Sequence, residues 1–346
     1  MPASPMSAIS RAATRESGEP LNILTFPTHE RYETTLSKTG HNFYALTNDT
    51  MKDWNVDHGD IPDNYHIYKA AGNSISVPLH LDFDLIFSQS KFGQFELSKN
   101  MAKSLHLPIV TLEHTLPLHK IPDGWPQEQF LSFSQMTGCR NVFISDYSMK
   151  EWEWDKREDS RAIYHGIDSE IFSPDESCQK IDHVLSVANQ YKQRDYCLGY
   201  SLWEQVTNGL PIKLVGDNPG MSEPSSSIED LVSSYRTAKV FLNTSTVSPI
   251  PMSLLEAMSC GCAVVSTATC VVPEIIENGV NGFITNSSEE MKHYLELLLS
   301  DEGDSIRSSM GQEARNTILS KFSVDRFISE WNEVFEEASQ TVYTGA

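Results

Sequence analysis

The sequence predicts an α/β protein made of two αβα sandwiches in tandem, and three observations predict it. Short apolar runs alternate with helical segments along most of the chain, the signature of parallel sheets joined by crossover helices. The alternation breaks at a Pro, Asp and Ser cluster near residues 173–178 and then restarts. A length of 346 residues is also too great for one ordinary core and suggests two domains of about 150 residues each.

In the first half, LNILTF (21–26), FDLIFSQ (83–89), LPIVTLEH (107–114) and NVFISD (141–146) read as strands, the second and third separated by the amphipathic KFGQFELSKNMAKSLH (91–106). A charged segment, EWEWDKREDSR (151–161), and a turn, YHGIDSEIFSPDES (164–177), follow. The second half supplies HVLSVAN (183–189), PIKLVGD (211–217), KVFLNTS (239–245), CAVVST (262–267) and GFITN (282–286). Helices fit between them, including IEDLVSSYRTA (228–238) and SEEMKHYLELLLSD (288–301), and a last amphipathic stretch, SVDRFISEWNEVFEEA (323–338), lies beyond the second domain. The expected organisation is a disordered tail (1–20), an N-terminal domain (21–174), a C-terminal domain (175–325) and a terminal helix with its tail (326–346). The first twenty residues are small and polar with no apolar central segment, so they read as a tail rather than a signal peptide.

Composition narrows the function class. The chain is 39% hydrophobic and 10% aromatic, and no apolar run approaches the roughly 18 residues that span a bilayer. A soluble, cytoplasmic protein is expected. Its six cysteines are scattered, and the close pair, Cys260 and Cys262, brackets a glycine at a helix end without histidine partners, so no zinc site is read there. The 26 basic against 47 acidic side chains give a net charge of −21. Such a field repels phosphate backbones and anionic lipid head groups, which disfavours duplex DNA and anionic membranes as partners. A local basic pocket still suffices for a small anion.

In open α/β sheets ligands sit beyond the carboxyl ends of strands, often on helix N-termini, where unpaired N–H groups and the dipole attract anions. The stretch SPIPMSLLEAMSCGCAVVST (248–267) fits that description. Pro251 suits the first helical turn, since its missing N–H would have been unpaired there, and the Met252 and Ser253 amides then point out of the helix end. Glu256 lies one turn further on the same face, and a carboxylate, which offers acceptors only, suits paired hydroxyls such as a ribose diol. The alternative is a local cap or ion pair; because an acid in an apolar helix is costly unless satisfied, the ligand role is favoured. The helix is expected to stop at Cys260-Gly261, with Gly261 as a left-handed cap.

The run YRTAKVFLNTSTVSPIPMSLLEAMSCGCAVVSTATCVVPEIIENGVNGFI (235–284) resembles the nucleotide-binding half of retaining glycosyltransferases of family 4, with its helix ending in EAM-x-x-G and its PEI and NG-x-NG-like segments. HGIDSEIFSP (165–174), KLVGD (213–217) and IVTLEHT (109–115) are similar to that family's domain linker, V-G-D/E strand end and N-domain strand ending in histidine. The resemblance implies the GT-B fold: two Rossmann-like αβα domains facing across a cleft, the C-terminal helix crossing back to the N-terminal domain. It implies a metal-independent, retaining transfer of a sugar from a nucleoside diphosphate sugar, with no other cofactor. The acceptor is left open among a glycan, a lipid-linked sugar, a protein and a modified base.

By the same resemblance Glu256 is the second glutamate of an E-x7-E motif, which binds the ribose, and Ser248 stands where the first glutamate would be. The diphosphate element G-R…K-G is changed too, with Asn189 at the arginine and Arg194 at the lysine, Lys192 being a second candidate. LTFPTHERYETT (24–35) replaces the glycine-rich loop after the first strand. His114 is expected to hydrogen-bond the transferred sugar, the rival reading being a satisfied core histidine; Gly216, Asp217 and Glu274 are candidate cleft residues or turn formers, and His29 and Glu30 lie just past the first strand. The expected catalytic pair is His114 and Ser248; the expected donor-binding set is Arg194, Lys192, Gly216, Met252, Ser253 and Glu256. Loss of the first motif glutamate keeps a catalytically silent sugar-nucleotide or glycan-binding protein as an alternative, and a GT-B phosphorylase or epimerase would use the same architecture. A hydride-transfer enzyme is disfavoured because no G-x-G-x-x-G follows a strand.

Overall fold

The computed structural model describes residues 14–16, 18–56, 59–78, 80–118 and 124–341. Most of the expected tail 1–20, and residues 342–346 at the other end, lie outside the described residues. The chain forms two compact units, one of Met1–His165 with Asp325–Ala346 and one of Gly166–Val324. No helix among the described residues is long and apolar enough to cross a membrane.

In the first unit the strands are β1 Asn22–Thr25, β2 Asn42–Asn48, β3 Tyr65–Ala70, β4 Leu85–Ser88, β5 Ile109–Glu113, β6 Arg140–Phe143 and β7 Ser160–Ala162. They form one parallel sheet in the order β3-β2-β1-β4-β5-β6-β7. The chain runs outward from β1 on one side and then crosses to β4 on the other, so the topological switch lies between β1 and β4. Leu24, Ile86 and Ile109 from the strands pack on Met101, Ala102 and Leu105 of the helix Gln94–Leu105, within the amphipathic stretch expected there.

Three strands, β2, β3 and β7, were absent from the sequence expectation. The polar residues of NFYALTN give β2 the look of a loop, yet Thr47 and Asn48 are buried because Thr47 donates to Lys52 O (2.8 Å) and Asn48 Oδ1 caps the Thr50 and Met51 amides. β3 and β7 are sheet edges, half-exposed and without clean alternation.

The second unit contains β8 Ile181–Val187, β9 Ile212–Val215, β10 Ala238–Asn243, β11 Ala263–Ser266 and β12 Phe283–Ile284. These form a parallel sheet in the order β12-β11-β10-β8-β9, with its switch between β8 and β10. Val184, Val240, Leu242 and Val265 meet Trp203, Val206, Met291, Leu295 and Leu298 from the covering helices. The central strands β8, β10 and β11, largely buried, read as continuous apolar runs, which made this half legible.

The terminal helix Val324–Ser339 belongs, from Asp325 on, to the first unit, the crossing back that the sequence implied. Phe327, Trp331, Val334, Phe335 and Ala338 form its buried stripe; Trp331 Nε1 donates to Tyr32 Oη (2.9 Å), and its ring packs on Phe87 (5.1 Å).

The units divide at His165/Gly166 rather than at the expected 174/175. The Arg315 guanidinium donates to the carbonyls of Ser169 (3.2 Å), Phe172 (3.1 Å) and Ser259 (2.6 Å), while Arg236 donates to Ser173 O (2.6 Å). Residues 169–173, expected to be the linker, are thereby bound onto the second unit.

Where a glycine-rich loop would lie after β1, the first unit uses a carboxyl group of its own. Glu33, in the helix Glu30–Ser37, is 1% exposed, accepts from the Thr28 amide (3.1 Å) and from Gln89 Nε2 (2.6 Å), and so ties the β1 turn to the end of β4. Burial raises its carboxyl to about 7. A carboxyl whose folded pKa exceeds its ordinary value binds its proton more tightly when folded, so this contribution to stability is complete below about pH 4.5 and is lost as pH rises through about 7. Denaturant unfolding of wild type and Glu33→Gln should therefore give a stability difference that moves against wild type by on the order of 2–3 kcal/mol between pH 4.5 and pH 8. A difference that stays flat with pH would show that Glu33 ionises normally.

Candidate functional site

The helix Met252–Ser259 begins one residue later than the sequence suggested. Pro251 is the cap rather than the first helical residue; its φ of −82° and ψ of 97° turn the chain into the helix, and its carbonyl accepts from the Leu254 and Leu255 amides (3.1 and 3.3 Å). The Met252 and Ser253 amides, which have no carbonyl one turn behind them, donate to no acceptor among the described residues. At the other end Cys262 N donates to Ala257 O, Gly261 N donates to Met258 O and Gly261 has φ of 71°, the left-handed stop anticipated for it.

Glu256 is 4% exposed among Leu254, Leu255, Ala257 and Met258, all fully buried, and Tyr235 Oη donates to its Oε2 at 2.8 Å. The local partner weighed as the rival reading is therefore present, and it is a neutral hydroxyl. The same helix face carries the open amides one turn earlier.

The rest of the second unit's candidates gather on the carboxyl ends of β8, β9 and β10, where parallel topology places them. Lys192 and Arg194 follow β8, are exposed, and form no salt bridge among the described residues. The Arg194 carbonyl starts the short helix Asp195–Leu198, and Lys192 Nζ stands 6.0 Å from the Tyr200 ring. Asn189, at the motif's arginine position, turns its Oδ1 to the Asp217 amide (2.8 Å) and so joins β8 to β9. Gly216 has φ of 130°, and a Cβ on it would stand 2.0 Å from Ala188 O. Its amide donates to Glu223 O (3.0 Å) and its carbonyl accepts from Ser222 Oγ (2.8 Å), so Gly216 contributes the close approach of two strand ends rather than a donor group. Ser248 is half-buried in the turn before the helix and its hydroxyl has no partner among the described residues. Asp217 and Glu274 are exposed.

In the first unit His114 is the first residue beyond β5, 9% exposed, with its Nε2 buried and unpaired. Its ring meets those of His29 (4.6 Å) and Tyr32 (4.8 Å) edge-on, and His165 lies 4.9 Å from Tyr32. Burial first, then the neighbouring His29 and His165, hold His114 well below the usual imidazole range; burial lowers His165 to about 3 and also lowers His29, helped by Lys52. Burial thus favours the neutral form of all three, which suits hydrogen bonding. Glu30 is buried and paired with Lys52 (3.0 Å), a structural use.

Sequence reasoning missed Glu33 and Tyr235. Glu33 looks like an ordinary acid in a first helical turn. Tyr235 shares the apolar face of the helix Ile228–Thr237 with Leu231 and Val232, so nothing in the spacing sets it apart from core. Burial pushes the Cys260 thiol up to about 12 and raises Cys262, so neither is a thiolate at neutral pH. Among the described residues no group of three or more His, Cys, Asp or Glu side chains is arranged as metal ligands.

Residues 220–317 match the family described as "Glycosyl transferases group 1". The uncharacterized glycosyltransferase MJ1069 of Methanocaldococcus jannaschii is 34% identical over 86 residues, a match spanning 24% of this chain and only 21% of that protein's length. MJ1178 of the same organism, also an uncharacterized glycosyltransferase, is 21% identical over 86% of this chain and 90% of its own. Among solved structures, Anabaena Alr3699/HepE in complex with UDP superposes with a TM-score of 0.71 at 15% identity, covering 91% of this chain and 98% of that one. The open helix start and Glu256 thus lie inside the segment that matches glycosyl transferases group 1, and the two parallel-sheet, Rossmann-like domains have the GT-B fold of the solved structures.

Proposed function

We propose that the chain is a glycosyltransferase of the retaining, metal-independent kind, moving a sugar from a nucleoside diphosphate sugar held in the second unit to an acceptor taken by the first. The observation that carries this reading is the start of the helix Met252–Ser259: two unpartnered amides, one turn from a buried carboxylate, on the sheet edge that also presents Lys192 and Arg194. The match of residues 220–317 to glycosyl transferases group 1 and the likeness to a structure solved with UDP support it. Six cysteines outside any disulfide are in keeping with a reducing, cytoplasmic setting.

In this reading the diphosphate takes the Met252 and Ser253 amides and the two cations, and the ribose hydroxyls donate to Glu256. As the bond from the sugar's anomeric carbon to the diphosphate oxygen breaks, the electron pair stays with the diphosphate, and amides and cations already in place meet that charge without reorganising. An acceptor hydroxyl oxygen forms the new bond on the face the diphosphate leaves, and its proton passes to the departing diphosphate oxygen. His114, neutral and with Nε2 unpaired, offers one hydrogen bond to a sugar hydroxyl. Ser248, shorter and uncharged where the resemblance places a glutamate, shifts the donor preference away from common glucose-type sugars. A second reading, a sugar-nucleotide-binding protein without turnover, is favoured by that same serine.

Titration calorimetry with UDP, GDP, ADP and their sugars tests the donor site. Glu256→Ala should weaken nucleotide binding by about 1.5–3 kcal/mol, the range for hydrogen bonds to a charged group, with Glu256→Gln as the isosteric control for folding. Unchanged affinity would remove Glu256 from the site. The diphosphate should bind more tightly than the nucleoside, with EDTA having little effect; a strict need for a divalent cation contradicts the mechanism. Wild type should hydrolyse or transfer at least one donor weakly. If it binds sugar nucleotides yet turns none over while Ser248→Glu does, the binding-protein reading replaces the enzyme.

A further inference from the structure

We propose that Tyr235 is a positioning residue of the donor site, holding the Glu256 carboxylate in the orientation that recognises a cis-diol; this rests on the donor reading above. Tyr235 comes from the helix Ile228–Thr237, which precedes β10, whereas Glu256 comes from the helix that follows it, so the contact links the two crossovers on either side of one strand. The hydroxyl donates to Oε2 at 2.8 Å, and both residues are removed from solvent, Tyr235 at 0% exposure and Glu256 at 4%. The tyrosine ring has little freedom, wedged between Phe172 (centroids 6.2 Å apart) and Phe241 (5.8 Å).

A glutamate's terminal torsion is broad and roughly two-fold, so a carboxylate at a helix position samples many planes. Anchoring one of its oxygens with a rigid, buried donor selects one plane. Two adjacent hydroxyls form a bidentate pair with a carboxylate only when that plane is right, so orientation matters for a diol far more than for a single hydrogen bond. Phe172 makes the anchoring specific, because its own carbonyl is fixed by Ser259 Oγ (2.6 Å), on the helix that carries Glu256, and by Arg315 (3.1 Å), on the helix Asp304–Lys321.

The experiment compares UDP with 2′,3′-dideoxy-UDP by titration calorimetry, alongside thermal unfolding, for wild type, Tyr235→Phe, Glu256→Gln and the double variant. Wild type should prefer UDP by tenfold or more. Tyr235→Phe should cut that preference to threefold or less while binding the dideoxy compound within twofold of wild type, and the double variant should be no worse than Glu256→Gln. Phe172→Leu, which frees the ring and keeps the hydroxyl, should also lower the preference and serves if Tyr235→Phe does not fold. A purely structural tyrosine would lower the melting temperature and leave the ratio of the two affinities intact in these variants, which overturns the inference alone. A wild type that does not bind UDP, or binds both compounds equally, overturns the donor reading together with it.

Discussion

A charged group inside an apolar helix sets the terms for the second unit. Glu256 sits in a helix whose Leu254, Leu255, Ala257 and Met258 neighbours are fully buried, and an unsatisfied carboxylate there would cost several kcal/mol. The Tyr235 hydroxyl meets part of that requirement and in doing so fixes how the helix lies against the one before β10. With the helix fixed, its first amides must open at the carboxyl edge of the sheet, and its last turn must end at Gly261. The close approach of Gly216 to Ala188 and the Asn189 bridge to Asp217 then pin the remaining strand ends around the same edge.

The first unit solves a similar problem differently. After β1, Glu33 occupies the Thr28 amide and Glu30 engages Lys52 and Asn55. Around β5 the histidines are kept neutral by burial and by one another. One unit therefore presents anion-seeking groups at its switch point, whereas the other presents a neutral imidazole and internally satisfied acids.

Much of this was legible in the residues. The apolar strands of the second unit, the Gly261 stop, the helix returning from the end of the chain and the open amides of Met252 and Ser253 all follow from local rules, since periodicity, missing N–H groups and left-handed glycine are properties of short segments. β2 escaped because buried threonine and asparagine look like a loop until their partners, Lys52 O and the Thr50 amide, are known. The boundary near 174 escaped for the same reason: Arg315 lies 143 residues from the carbonyl of Phe172 that it holds.

The sequence by itself determined two parallel α/β domains, their order, and the helix start with its carboxylate, because these depend on pattern and on neighbours within a turn or two. It could not determine which polar groups are satisfied, since that depends on partners far apart along the chain. Only the tertiary structure decided that Glu256 is held by Tyr235, that the amide of Gly216 is already engaged, that Glu33 fills the turn after β1, and that His114 keeps an unpaired nitrogen. Burial converts each of these from a residue type into a chemical state, and burial is a property of the fold.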